Sequence, residues 1–167
     1  MTGRLPPFAL AALACVILTS AIAVRAAGGT PPQEARWPGV DNVAAARVDY
    51  MLKCQGCHHP DGTGNAVNTP PLAGQVAKFL SVPGGRHFLA RVPGVASTDL
   101  DDARVARVLN YSLYRFDPQH LPADFEPYTA EEIGQLRHKP LRLERAGERA
   151  RLIALIKETG NGEHVDQ

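Results

Sequence analysis

The stretch Cys54-Gln55-Gly56-Cys57-His58 decides the fold of this chain. Two cysteines stand three positions apart, and a histidine follows the second one directly. This order is the C-x-x-C-H signature of covalent haem attachment, in which each thiol forms a thioether bond with one haem vinyl group. The histidine then lies under the porphyrin and gives a nitrogen to the iron, for which histidine is the usual proximal ligand. The pattern predicts one haem c, bound through Cys54 and Cys57, with His58 as an axial ligand.

Two cysteines at this spacing have three other interpretations. A structural zinc site wants four ligands, usually as two such pairs, and the only other cysteine is Cys15 in the N-terminal segment. A redox dithiol follows a strand in a βαβ pattern, and no strand pattern precedes Cys54. A plain disulfide is the third interpretation. The histidine directly after Cys57 favours haem over all three.

The residues after the motif strengthen this interpretation. They read His59-Pro60-Asp61-Gly62-Thr63-Gly64 and then Thr69-Pro70-Pro71-Leu72-Ala73-Gly74. Over roughly residues 43–135 the chain resembles the class I cytochrome c family, in which a glycine-rich loop follows the attachment site and a Pro-x-Leu follows the loop.

The resemblance implies roles for two further residues. The carbonyl oxygen of Pro70 would accept a hydrogen bond from the second ring nitrogen of His58. Such a partner fixes the tautomer and the orientation of an iron ligand. Leu72 would pack on the edge of the haem. The resemblance also implies a haem c cofactor and an export route, because the thioether bonds of this family are made on the outer side of the bacterial membrane.

The N-terminal segment is predicted to direct export. Residues 8–24 form an uncharged, mostly aliphatic run of 17 residues, and small residues follow it up to Ala27. Residues 1–27 therefore predict a secretory signal peptide. The alternative is an uncleaved anchor at the inner membrane, because a spanning helix needs about 20 apolar residues. Residues 28–39, rich in Gly and Pro, predict a linker or arm.

The rest of the chain predicts a single all-α domain. Basic and acidic side chains are nearly balanced, 18 against 17, which gives no charge bias toward nucleic acid. Helical periodicity marks residues 41–53, 101–116 and 143–159, and a capping box at Thr129-x-x-Glu132 opens another helix. A short helix is predicted at 75–81, with turns at Val82-Pro83-Gly84 and Val92-Pro93-Gly94. We expect a cytochrome c-like bundle of three to five helices with long loops: a haem domain at 40–140, and an amphipathic helix and tail at 141–167.

The sixth iron ligand is the point where the sequence departs from the family pattern. Class I cytochromes mostly use a methionine after the Pro-x-Leu, but the only methionines here are Met1 and Met51. His120, in a Pro-bearing loop after the helix at 101–116, is the predicted sixth ligand. His87 is the runner-up, because Gly84 and Gly85 could let its loop approach the haem closely. A five-coordinate or water-bound iron is the remaining alternative.

These features predict an exported one-electron carrier of the periplasm rather than an enzyme. The resemblance implies that it accepts electrons from a periplasmic dehydrogenase and passes them to a downstream cytochrome or oxidase of the respiratory chain. It would contact the membrane only through residues 8–24, if these are retained. Two alternatives stay open: a five-coordinate haem sensor or peroxidase-like protein, and a haem subunit of a larger oxidoreductase.

Overall fold

The computed structural model describes residues 37–65 and 67–160, which form a helical domain. In these residues the only β feature is one isolated bridge between Asn65 and Thr69. The described part of the chain contains the α-helices α1 (Val43–Lys53), α2 (Gln55–His58), α3 (Gly85–Arg91), α4 (Pro93–Ala96), α5 (Asp102–Phe116), α6 (Ala130–Arg137) and α7 (Arg145–Glu158). It also contains 3₁₀ helices at Ala77–Ser81 and Pro118–His120. The all-α prediction is confirmed, with short helices added to the predicted three to five.

Helix α1 carries the attachment motif at its end. It begins two residues later than the predicted start at 41, because the side chain of Asn42 caps the helix by accepting a hydrogen bond from the Ala45 N–H at 2.8 Å. An Asx side chain at this position satisfies one of the unpaired N–H groups of the first turn. The helix buries Ala46, Asp49 and Tyr50 on one side and runs directly into Cys54.

Helix α5 is the partner on which α1 packs. The Asp101 side chain caps its start by accepting a hydrogen bond from the Arg104 N–H at 2.8 Å. The helix therefore begins one residue after the predicted start at 101. Nine of its 15 residues are buried, as its strong apolar periodicity predicts. Tyr50 of α1 lies 4.9 Å from Phe116 and 6.1 Å from Tyr111, measured between ring centroids. These contacts join the start of the motif to the far end of α5.

The first of the two predicted turns is confirmed at Val82-Pro83-Gly84, whereas the second, at Val92-Pro93-Gly94, is wrong because a short helix forms there. Val82-Pro83-Gly84 leads into α3, and α4 begins at Pro93, where the missing N–H of proline costs nothing because the first-turn donors have no intrahelical partner. The short helix predicted at 75–81 is the 3₁₀ helix Ala77–Ser81. His87 therefore lies on a helix and is exposed, rather than in a loop as predicted.

The C-terminal helices complete the core. The Thr129 side chain accepts the Glu132 N–H at 3.2 Å, which confirms the predicted cap of α6. Helix α7 buries Leu152, Ile153 and Ile156 in the same hydrophobic core as α1 and α5.

Among the described residues no helix combines the length and apolarity needed to cross a membrane. The predicted signal or anchor at 1–27, and most of the arm at 28–39, lie outside the described residues.

Candidate functional site: the haem attachment motif

The attachment motif forms one helical turn at the end of α1. The backbone carbonyl of Cys54 accepts hydrogen bonds from the N–H groups of Cys57 and His58, at 3.1 and 2.9 Å. Both cysteines are free thiols, Cys54 half-buried and Cys57 exposed. Burial raises the pKa of the Cys54 thiol to about 11, with smaller contributions from Asp49 and Cys57. The turn places two thiols and an imidazole side by side, the set that covalent haem attachment requires.

His58 has the environment expected of an iron ligand whose second ring nitrogen faces a backbone carbonyl. Its Nδ1 atom is buried, and no atom of the described residues makes a well-formed hydrogen bond to it. Burial lowers the pKa of the imidazole, whereas the nearby backbone carbonyl of Pro70 acts in the opposite direction and raises it. A neutral imidazole whose Nδ1–H faces a carbonyl presents Nε2 as the metal-binding nitrogen. The residues present therefore fit a haem iron.

The loop after the motif folds back on His58 through backbone hydrogen bonds. The Gly64 N–H donates to the His58 carbonyl at 3.1 Å, and the Leu72 N–H donates to the Gly62 carbonyl at 2.7 Å. Gly64 has a φ of +64°, and a Cβ atom there would lie 2.3 Å from the Thr69 carbonyl oxygen. Only glycine accepts both the conformation and the close approach. These contacts bring Pro70 to the ring of His58.

A second group of contacts joins this loop to the end of α5. The Gly74 N–H donates to the Phe116 carbonyl at 2.9 Å, and the Ala77 N–H donates to Oδ2 of Asp117 at 2.8 Å. The other oxygen of Asp117 lies 2.5 Å from Nδ1 of His120. Burial raises the pKa of the Asp117 carboxyl, although His120 and the Ala77 N–H oppose the shift. Sequence reasoning missed Asp117, because nothing in the linear pattern links it to Ala77.

The predicted sixth ligand, His120, stays a prediction. The residue lies in the 3₁₀ helix Pro118–His120 and is half-buried, and since Asp117 engages its Nδ1 atom, Nε2 is the nitrogen left for a metal.

The remaining candidate ligands are placed as follows. Met51 is 48% exposed on α1, and His59, also exposed, approaches the Thr63 hydroxyl. Met1 and His164 lie outside the described residues. Within 37–65 and 67–160 no three His, Cys, Asp or Glu side chains gather into a separate metal site.

Comparison with known proteins agrees with this geometry. The chain is 34% identical over 120 residues to a cytochrome c-552 of Thermus thermophilus, and the match covers 59% of this chain and 81% of that protein. A second cytochrome c-552 from Thermus thermophilus is 36% identical over 107 residues, which cover 53% of this chain and 82% of the relative. No family model matches the chain.

A helical turn that carries two thiols and an imidazole with a buried Nδ1 atom, within an all-α domain, defines a c-type haem protein. The chain belongs to the monohaem c-type cytochrome family. Its cofactor is covalently bound haem c, one per chain, and it is a haem-binding electron carrier. The predicted cofactor and the predicted family are confirmed.

Proposed function

We propose that this chain is an exported cytochrome c that passes single electrons from a periplasmic dehydrogenase to a downstream cytochrome or oxidase of the respiratory chain. The observation that carries the proposal is the buried Nδ1 atom of His58 beside the Pro70 carbonyl, on the same turn as Cys54 and Cys57. The haem supplies a one-electron couple at its iron. The protein binds it through the two thiols, orients the axial imidazole and keeps water away from the buried side of that ring.

In this proposal Leu72 packs against the haem edge. Its side chain is half-buried against the hydrophobic core, two residues after Pro70. The exported location rests on residues 1–27, whose uncharged run and small-residue end are typical of a signal peptide.

The attachment is tested by haem extraction. Acid–acetone treatment of the purified protein should leave the haem on the chain, and Cys54→Ala combined with Cys57→Ala should abolish covalent haem completely. A redox titration of the wild-type protein should show one reversible one-electron couple. Extraction of the pigment from the wild-type chain, or thioether-bound haem in the double variant, would refute the proposed attachment.

The donor is tested by reduction kinetics. A purified periplasmic dehydrogenase from the same organism should reduce the oxidised protein in the presence of its substrate, and a mature protein that lacks residues 1–27 should be reduced equally fast. Holoprotein recovered from the cytoplasmic fraction would contradict the exported location. Mass analysis of the mature chain distinguishes a cleaved signal from a retained anchor.

His120 is the proposed sixth iron ligand, with His87 as runner-up. The contact between Asp117 and Nδ1 of His120 supports His120, since ligating histidines commonly give their second ring nitrogen to a carboxylate. His87 lies on α3 with its side chain exposed, and its ring would have to reach the iron from a helix surface.

A ligand-binding haem protein is the second candidate function. It is favoured by the position of Met51, the one methionine in the described residues, whose side chain is exposed on α1 ahead of the motif. An iron without a strong protein ligand on its sixth position binds carbon monoxide readily in the reduced state. Rapid carbon monoxide binding by the wild-type protein would favour this candidate, and a low-spin spectrum that carbon monoxide does not change would favour the electron carrier.

A further inference from the structure

The end of α5 holds the loop that supports the haem ligand. Its last residue, Phe116, accepts a hydrogen bond from the Gly74 N–H, and its ring covers Gly62, where a Cβ atom would lie 2.6 Å from the ring. The next residue, Asp117, accepts the Ala77 N–H. The segment from Gly62 to Ala77 is thus fixed at three points by residues from 40 or more positions further along the chain.

Of these three attachments, the one at Asp117 is made by a buried polar side chain. Its side chain is fully buried, and each carboxylate oxygen has its own partner: Ala77 N–H on one oxygen and His120 Nδ1 on the other. A buried carboxylate is costly unless hydrogen bonds compensate it, so both partners are needed to keep the group in place. Because each oxygen has a partner, rotation of the carboxylate would break both contacts. The carboxylate therefore restrains the backbone at Ala77.

The position of Ala77 is transmitted to His58 over a short path. The neighbouring Val76 N–H donates to the Leu72 carbonyl at 3.0 Å, and Leu72 is itself bonded to Gly62. Two residues before Leu72 stands Pro70, whose carbonyl acts on the imidazole of His58. A shift at Ala77 therefore moves the carbonyl that faces His58 Nδ1.

We propose that Asp117 is a positioning residue for the haem ligand: by fixing Ala77, it holds the Pro70 carbonyl against Nδ1 of His58 and so helps to set the reduction potential. The inference rests on the proposed function. A carbonyl that accepts a hydrogen bond from Nδ1–H makes the ligating nitrogen of the histidine more basic. A more basic ligand favours the oxidised iron. Loosening this contact should therefore raise the potential.

The experiment compares variants of the full holoprotein. Asp117→Ala removes both contacts, and we expect the oxidised-to-reduced ratio at a fixed poise to change roughly tenfold, which is about 59 mV for one electron. The Nδ1 proton signal of His58 in nuclear magnetic resonance should shift as well, with the spin state unchanged. Asp117→Asn keeps an acceptor for Ala77 while it removes the charge, so its potential should stay close to that of the wild-type protein.

Asn110→Ala is the matched control for a buried polar side chain. Asn110 is fully buried and forms hydrogen bonds with Gly39 and Tyr128, neither of which belongs to the loop, so this variant should lose stability without a shift in potential. Should Asp117→Ala fail to mature, Asp117→Ser, whose shorter side chain cannot bridge both partners, takes its place with the same expected shift.

Three results would overturn the inference. Equal shifts in Asp117→Asn and Asp117→Ala would mean that charge, not position, acts on the iron. An unchanged potential in Asp117→Ala, with stability lost as in Asn110→Ala, would make the role purely structural. A change of spin state, or a shifted potential without a shift of the His58 Nδ1 signal, would assign the effect to His120, the other partner of Asp117. A wild-type protein without a reversible couple would instead refute the proposed function itself.

Discussion

The crossing of α1 and α5 and the loop 59–77 are held together by different forces, although both border the attachment motif. At the crossing, Asp49 is paired with Arg104 at 2.5 Å and with Arg107 at 3.2 Å. The loop is held mainly by backbone hydrogen bonds and by Asp117. The crossing stabilises α1, the helix that leads into the attachment motif. The loop positions the side chain of His58 within that motif.

The two buried carboxylates show this difference most directly. Hydrogen bonds from Arg104 keep the pKa of Asp49 below its usual range, despite the opposing effect of burial. Asp117 is instead bonded to a backbone N–H and an imidazole, and burial raises its pKa. Two fully charged donors hold a carboxylate ionised, whereas a backbone N–H and an imidazole compensate burial only in part. We therefore expect changes at the crossing to affect stability, and changes in the loop to affect the haem.

Asp49→Ala should have the largest effect on stability. The change leaves Arg104 and Arg107 without their shared buried partner, and we expect a loss of about 3 kcal/mol, at the low end for a broken buried pair because Arg104 is partly solvated. Urea unfolding of the holoprotein measures it. Asp41→Ala is the control. Asp41 also pairs with Arg107, at 3.4 Å, but its side chain is 80% exposed, so this variant should lose less than about 1 kcal/mol of the free energy of unfolding. Equal losses in the two variants would contradict the claim that the buried carboxylate of Asp49 matters more for stability than the exposed one of Asp41.

Gly64→Ala should affect both stability and the haem site. Its left-handed backbone costs roughly 1–3 kcal/mol with a side chain present, and the new Cβ atom would press on the Thr69 carbonyl next to Pro70. We expect lower stability together with a shifted reduction potential. Gly147→Ala in α7 is the matched control, since no atom lies within 4 Å of a Cβ placed there. If Gly64→Ala leaves the potential unchanged, the loop does not position His58.

The acid side of the stability profile should depend on Asp49. Its folded pKa lies below the ordinary value of 3.8, so the unfolded chain binds the proton first and stability falls as the pH drops from about 3.8 through the folded value. Above that range the contribution is fully present. Unfolding free energies measured from about pH 5 downward should show this slope in the wild-type protein and a reduced slope in Asp49→Asn. An unchanged slope would assign the acid sensitivity to other carboxylates.

His120→Ala should leave the crossing intact and test the sixth ligand, with the spin state as the readout, because the variant also removes one partner of Asp117. If His120 binds the iron as proposed, the variant becomes high-spin and reacts with carbon monoxide. His87→Ala, on the exposed face of α3, is the control and should keep the low-spin spectrum. A low-spin spectrum in His120→Ala together with a high-spin spectrum in His87→Ala would move the assignment to His87. Wild-type spectra in both variants would place the sixth ligand, if there is one, on neither histidine.

The sequence alone determined the haem chemistry and the main helices. The order Cys54, Cys57, His58 is a local pattern, and one helical turn is enough to display it, so no distant residue is needed to recognise it. The apolar period of α5 and the cap at Thr129 are likewise local, and both were predicted, the start of α5 to within one residue.

The family resemblance implied Pro70 as the partner of His58, but only the tertiary structure decided how the loop that carries Pro70 is held. The helix around His87 was missed because proline and glycine precede it, and those residues predict turns unless neighbouring helices pack the segment. The charge pairs of Asp49 and the contact between Asp117 and Ala77 join residues 40 to 58 positions apart. Such pairs form because folding buries their polar groups together, where each must find a partner, and no periodicity or spacing in the sequence records that requirement.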